Sequence, residues 1–123
     1  MWSPISLEDL TDEIAVSFAL MEDPERRLWD LVRITPVKWC QHPWGDLGGG
    51  FWVVGMIGCN VIWYNDIEHG FNVSQYTDIG TILSYGCNQD QLHHVIWLMR
   101  QQIESGLSPG KFGAPMPTGG TNP

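Results

Sequence analysis

Asp66, Glu68 and His69 bring two carboxylates and an imidazole within four residues. Carboxylates two positions apart share one side of an extended backbone. With an adjacent imidazole they are the usual tools of acid/base hydrolysis. They lie in the run Asn65-Asp66-Ile67-Glu68-His69-Gly70-Phe71-Asn72, the most polar cluster in the sequence. Asn65, Asp66 and Asn72 are equally good turn formers, whose side chains bond the nearby backbone. The run therefore admits three readings: a structured turn, a contact surface for a partner, and a small hydrolase. The turn is the default, because any acidic loop yields this composition.

Other constellations are weaker. His42, His69, His93 and His94 accompany Cys40, Cys59 and Cys87, yet no HxxxH, HExxH or CxxC spacing occurs. His93 and His94 are neighbours on a helical stretch and point about 100° apart, which is poor for chelation. The expectation is no metal and no cofactor. Gly48-Gly49-Gly50 precedes a strand, whereas phosphate loops follow one and open a helix. No GxSxG elbow supports Ser74 or Ser84 as a nucleophile.

The elements that must position these groups centre on Phe51–Tyr76. Phe51–Ile57 and Val61–Tyr64 are β-branched and aromatic runs separated by Gly58-Cys59-Asn60, a hairpin pattern. Strict alternation places Phe51, Val53 and Ile57 on one face and Trp52, Val54 and Met56 on the other. Neither face is polar, so each needs a cover. Helices can cover one; loops such as the tryptophan-rich stretch 39–50, the tail, a second copy or another protein must cover the other.

Upstream, Ser6 caps a helix with Glu8 and Asp9 in its first turn and Ile5 poised to staple against Leu10. Leu7, Leu10, Ile14, Phe18 and Met21 form its apolar stripe, and Asp23-Pro24 ends it. Leu28–Ile34 reads as a strand stopping before Pro36, the alternative being a short helix capped by Asp23 with Pro24 at its first position. Pro36–Gly50 reads as an irregular loop anchored by Trp39 and Trp44. Downstream, Asp78–Tyr85 alternates as a further strand. Asn88 and Gln91 form a capping box for a last helix, with Gln89 and Asp90 in its first turn. Leu92, Val95, Ile96, Met99 and Ile103 make its buried stripe; His93, Trp97, Arg100 and Glu104 make its solvent face; Gly106 closes it. The expected fold is α+β: an N-terminal helix, about four antiparallel strands, and a C-terminal helix on one sheet face. Residues 1–106 form the domain and the Pro/Gly-rich 107–123 a flexible tail.

Charge narrows the function. The chain has 123 residues, with fourteen acids against six bases, and residues 1–25 hold seven acids and no base. Nucleic-acid binders need cations against phosphates, so direct nucleic-acid binding is not expected. No apolar run approaches the roughly 18 residues of a membrane span. Three cysteines that cannot all pair, and an acidic N-terminus, fit a reducing, cytoplasmic setting.

The segments HPWGDLGGGFWVVGMIG, VIWYNDIEHGFN and YGCNQDQL resemble small uncharacterised bacterial proteins over residues 25–100 or so. More loosely, in size and acidity, the chain resembles the immunity proteins that neutralise bacterial toxins. That resemblance implies a cytoplasmic binder that plugs a basic surface. The expectation is a protein-binding domain whose contacts are Asn65, Asp66, Glu68 and Asn72, with Asp46, Trp44 and Trp97 in support. A hydrolase using Asp66, Glu68 and His69 is the second reading, and a self-associating structural protein is the third.

Overall fold

A computed structural model describes residues 3–106. The expected tail at 107–123 lies outside the described residues. Helix α1 spans Leu7–Leu20, and the Ser6 hydroxyl accepts from the Asp9 amide at 3.1 Å, satisfying one orphan donor of the first turn. Leu10 and Met21 are buried, Ile14 and Phe18 pack beside them, and Leu7 stays at the exposed rim.

Residues 23–32 are a second helix, α2 (Asp23–Val32), so the alternative of a short helix replaces the expected strand at Leu28–Ile34, with Glu22 and not Asp23 at the N-cap. Pro24 sits in its first turn, where a missing amide costs nothing. Its buried positions, Glu25, Trp29 and Val32, keep helical spacing. The stripe was hard to read because its first member is an acid. The strand begins later: β1 is Arg33–Trp39 and runs through Pro36. Proline is tolerated because β1 is an edge strand and its pairing with the neighbour shifts register between Arg33 and Val37.

The antiparallel sheet has the order β1-β2-β3-β4, with β2 at Phe51–Ile57, β3 at Asn60–Asn65 and β4 at Gly70–Gln75. The β2–β3 turn is the pair Gly58-Cys59, and Gly58 takes the left-handed φ of 58° that such turns require. Register slips between Val53↔Trp63 and Gly55↔Ile62. This bulge exchanges the faces expected for the end of β2. Met56 joins Phe51 and Val53 on one side, and Ile57 joins Trp52 and Val54 on the other.

The helices cover the face carrying Val54, Ile62, Tyr64 and Phe71. The opposite face carries Phe51, Val53, Val61 and Trp63, all fully buried. Its cover is the chain itself. Residues 76–91, expected to hold a strand at 78–85, instead cross this face as an irregular strap, with Ile82 buried in the cluster and Tyr76 and Tyr85 packed on it. At one sheet edge Cys40 exchanges backbone bonds with Gly80 and Ile82, both at 2.8 Å; at the other, Leu83 donates to Gln75 and Phe71 donates to Asp90. Trp39, the last residue of β1, is buried in this cluster, and Trp44 of the following loop stacks on Tyr85 as a secondary cover.

Helix α3 spans Leu92–Ser105 and ends at Gly106 in the left-handed conformation. Leu92, Val95, Ile96 and Met99 are buried, whereas Ile103 is exposed. Its N-cap is Gln91, without a side-chain bond. Asn88 and Asp90 belong to the strap instead of capping α3. The architecture is α+β: a helical N-terminal region, a four-stranded antiparallel sheet and a C-terminal helix.

Candidate functional site

The polar run after β3 is a tight connection to β4, closed by the pair Asn65↔Gly70. Asn65 is 0% exposed; its carbonyl oxygen accepts from the amides of Ile67 (3.0 Å) and Glu68 (3.2 Å), and its amide donates to the Gly86 carbonyl at 2.8 Å. Asp66 is 4% exposed and accepts from the Ile5 amide at 2.7 Å, tying the N-terminal segment to the sheet. His69 is exposed, with a φ of 60° that completes the turn, and Glu68 is half-buried. The carboxylate of Asp66 is thus committed to a backbone amide in the interior, while the imidazole faces solvent. These three groups do not form the converging constellation that hydrolysis requires.

Asn72, on β4, is 2% exposed. Its amide donates to Asn88 O at 3.1 Å and its oxygen accepts from Asn88 N at 2.9 Å. Ser74, two residues on, donates to Ser84 O and accepts from the Trp63 indole. Asn65, Ser74 and Asn72 therefore hold strap residues 86, 84 and 88, alternate positions of one extended stretch. Polar residues that read as a working surface are the pins of the strap. Asn65, Asp66 and Asn72 are interior groups, and that corrects their placement as surface contacts. Trp44 is exposed and stacks on Tyr85 with centroids 4.8 Å apart, and Asp46 meets His42 at 2.7 Å on the surface.

Trp97 opens a different region. Helix α3 lies across α1 and α2, and the helices leave between them a cleft of about 130 Å³ lined by Leu20, Met21, Glu22, Glu25, His93, His94 and Trp97. Its floor is held by two long-range contacts. Glu25, 3% exposed, accepts from Arg100 at 2.9 Å; His93 Nδ1 lies 3.2 Å from the hydroxyl of buried Ser17. The face of α3 bearing His93 and Arg100, expected to be wet, in fact looks onto the first two helices. At the mouth, Leu20 is 59% and Trp97 46% exposed, and the ring of His94 lies parallel to the indole at 6.2 Å. Glu22 makes no side-chain bond to any cation among the described residues.

No family model, curated protein or solved structure matches the chain. The chemistry of the cleft must therefore be argued from its own residues. Ser17 and His93 pair a hydroxyl with an imidazole, but Ser17 is buried beneath the floor and does not line the cleft, so no nucleophile reaches a ligand there. Among the described residues no group of three His, Cys, Asp or Glu side chains is placed to hold a metal ion. What the cleft offers is an exposed indole, an aliphatic wall and an acid. Of the lining residues, Trp97 belongs to the expected contact set, His93 and His94 were weighed only as metal ligands, and Leu20 and Glu22 were not singled out.

Tyr64 connects this helical side to the sheet. Burial raises its phenol above the ordinary tyrosine value, and the nearby Glu13 and Asp66 carboxylates add to the rise. The folded chain then keeps a proton that the unfolded chain has lost above about pH 10. Stability from this source is complete below that pH and is lost as pH rises through the folded value. Urea titrations across the alkaline range should show the wild type losing stability more steeply than Tyr64→Phe. Parallel pH profiles for the two proteins would rule out the burial argument.

Proposed function

We propose that this chain is a small acidic protein-binding domain that captures a partner with a basic surface, its helical face supplying the contacts. Neutralisation of a toxin, in the manner of an immunity protein, is the most concrete form of that reading. The cytoplasm, where exposed, unpaired Cys40, Cys59 and Cys87 stay reduced, is its natural compartment. The observation that carries the proposal is the cleft between α1, α2 and α3. It sets exposed Leu20 and Trp97 beside Glu22, while α1 contributes Glu8, Asp9, Asp12 and Glu13 without a single base. Exposed aromatic anchors supply most binding energy in protein interfaces, and an acidic rim speeds capture of a basic partner. Of the expected contact set, Trp97 lies on the helical face, whereas Trp44 stacks on Tyr85 at the opposite face of the sheet, and Asn65, Asp66 and Asn72 are withdrawn. The self-association reading rested on an uncovered sheet face, and the strap removes that basis.

The test is capture from the native host by the immobilised protein at about 50 and about 300 mM salt, on either side of substantial screening. The expected outcome is a basic interactor lost at the higher salt and lost with Trp97→Ala at the lower. Capture indifferent to both would remove the proposal.

A further inference from the structure

We infer that the cleft between α1, α2 and α3 is a seat for an arginine side chain presented by the basic partner; this rests on the reading of the chain as an acidic binding domain. Size limits the occupant. At about 130 Å³, the cleft falls well short of the roughly 300–1,000 Å³ of small-molecule sites. It has room for one long side chain. Charge points the same way. The lining carries Glu22 and Glu25. Glu25 is neutralised by Arg100 at 2.9 Å, whereas Glu22 meets no cation among the described residues. Glu22 is the lining carboxylate without an ion pair among the described residues, the Arg26 guanidinium being held on the Phe18 and Ala19 carbonyls, and it can meet a positive group from outside.

Shape separates arginine from lysine. The parallel rings of His94 and Trp97 form a flat aromatic step at the mouth, with the indole 46% exposed. A planar guanidinium stacks on such a surface and still directs its N–H groups at a carboxylate; a compact ammonium does so less well. The aliphatic wall of Leu20 and Met21 suits the methylene stem that precedes the guanidinium.

The test titrates the full chain with oligo-arginine and oligo-lysine peptides of equal length, following the Trp97 indole resonance by NMR. Trp97→Ala and Glu22→Gln are run beside the wild type, with circular dichroism confirming their fold. Both positions are exposed, so folding should survive. The expected result is a shift of the Trp97 indole, arginine binding at least about fivefold tighter than lysine, and a tenfold or greater loss in Trp97→Ala. Glu22→Gln should lose affinity at low salt. Equal, salt-sensitive binding of both peptides with Trp97→Ala indifferent would overturn the arginine seat and leave the acidic-domain reading standing. Binding of neither peptide at low salt would overturn both.

Discussion

Gly70→Ala is expected to lower the melting temperature by about 10 °C or more in a domain of this size. A Cβ at residue 70 would lie 2.3 Å from Gln89 Cα and 2.4 Å from Asn88 O. Both are backbone atoms, so no rotamer change relieves the overlap. The strap must lift from β4 or the sheet must bend, and inserting one methyl into packed structure costs about 1–3 kcal/mol even where side chains can yield. The cost here belongs at or above the top of that range. Lifting the strap also strains the Asn72 bonds to Asn88, at 2.9 and 3.1 Å, and leaves buried amide groups without partners. A melt of Gly70→Ala within a few degrees of wild type would mean that the strap does not sit on β4 as described.

Glu25→Ala should destabilise the domain by about 3 kcal/mol, the lower end of the range for breaking a buried ion pair. The lower end applies because Arg100 keeps a second carboxylate, Glu104, at 3.1 Å, and is itself partly exposed. Removing Glu25 leaves a partly buried guanidinium with a cavity beside it, between α2 and α3. Total stabilities of about 5–15 kcal/mol make this a large fraction. Replacing both partners by apolar residues, Glu25→Leu with Arg100→Met, should return the urea midpoint to within about 1 kcal/mol of wild type, because desolvation offsets much of the Coulomb gain. If Glu25→Ala leaves the midpoint unmoved, the pair is hydrated and does not fasten α2 to α3.

These two positions also show where sequence reasoning stopped. The stripes of α1 and α3 were legible because Leu10, Ile14 and Phe18, and Leu92, Val95, Ile96 and Met99, repeat an apolar identity at helical spacing. The stripe of α2 repeats the spacing but starts with Glu25, whose burial depends on an arginine 75 residues away. No local pattern carries that information. In β4 Asn72, expected as a surface contact, is inward, as is Ser74, because an aperiodic strap supplies their partners. The Val54–Gly55 bulge likewise left no mark in composition, yet it decided the face of every later residue of β2. The acidity of the candidate site was visible in the residue counts. Its location was not, since a cleft between three helices exists only once α2 is known to be one.

The strap has a consequence for the behaviour of the protein in a crowded solution. Bare strand borders invite neighbouring chains to add on and propagate as fibres. Here the same sixteen residues, 76–91, occupy Cys40 past the end of the first border and both Phe71 and Gln75 along the last, while Pro36 deprives the first border of a donor. A sequence with seven tryptophans and long β-branched runs thereby carries its own guard against templated aggregation, and loosening that guard should seed clumping before the core itself melts.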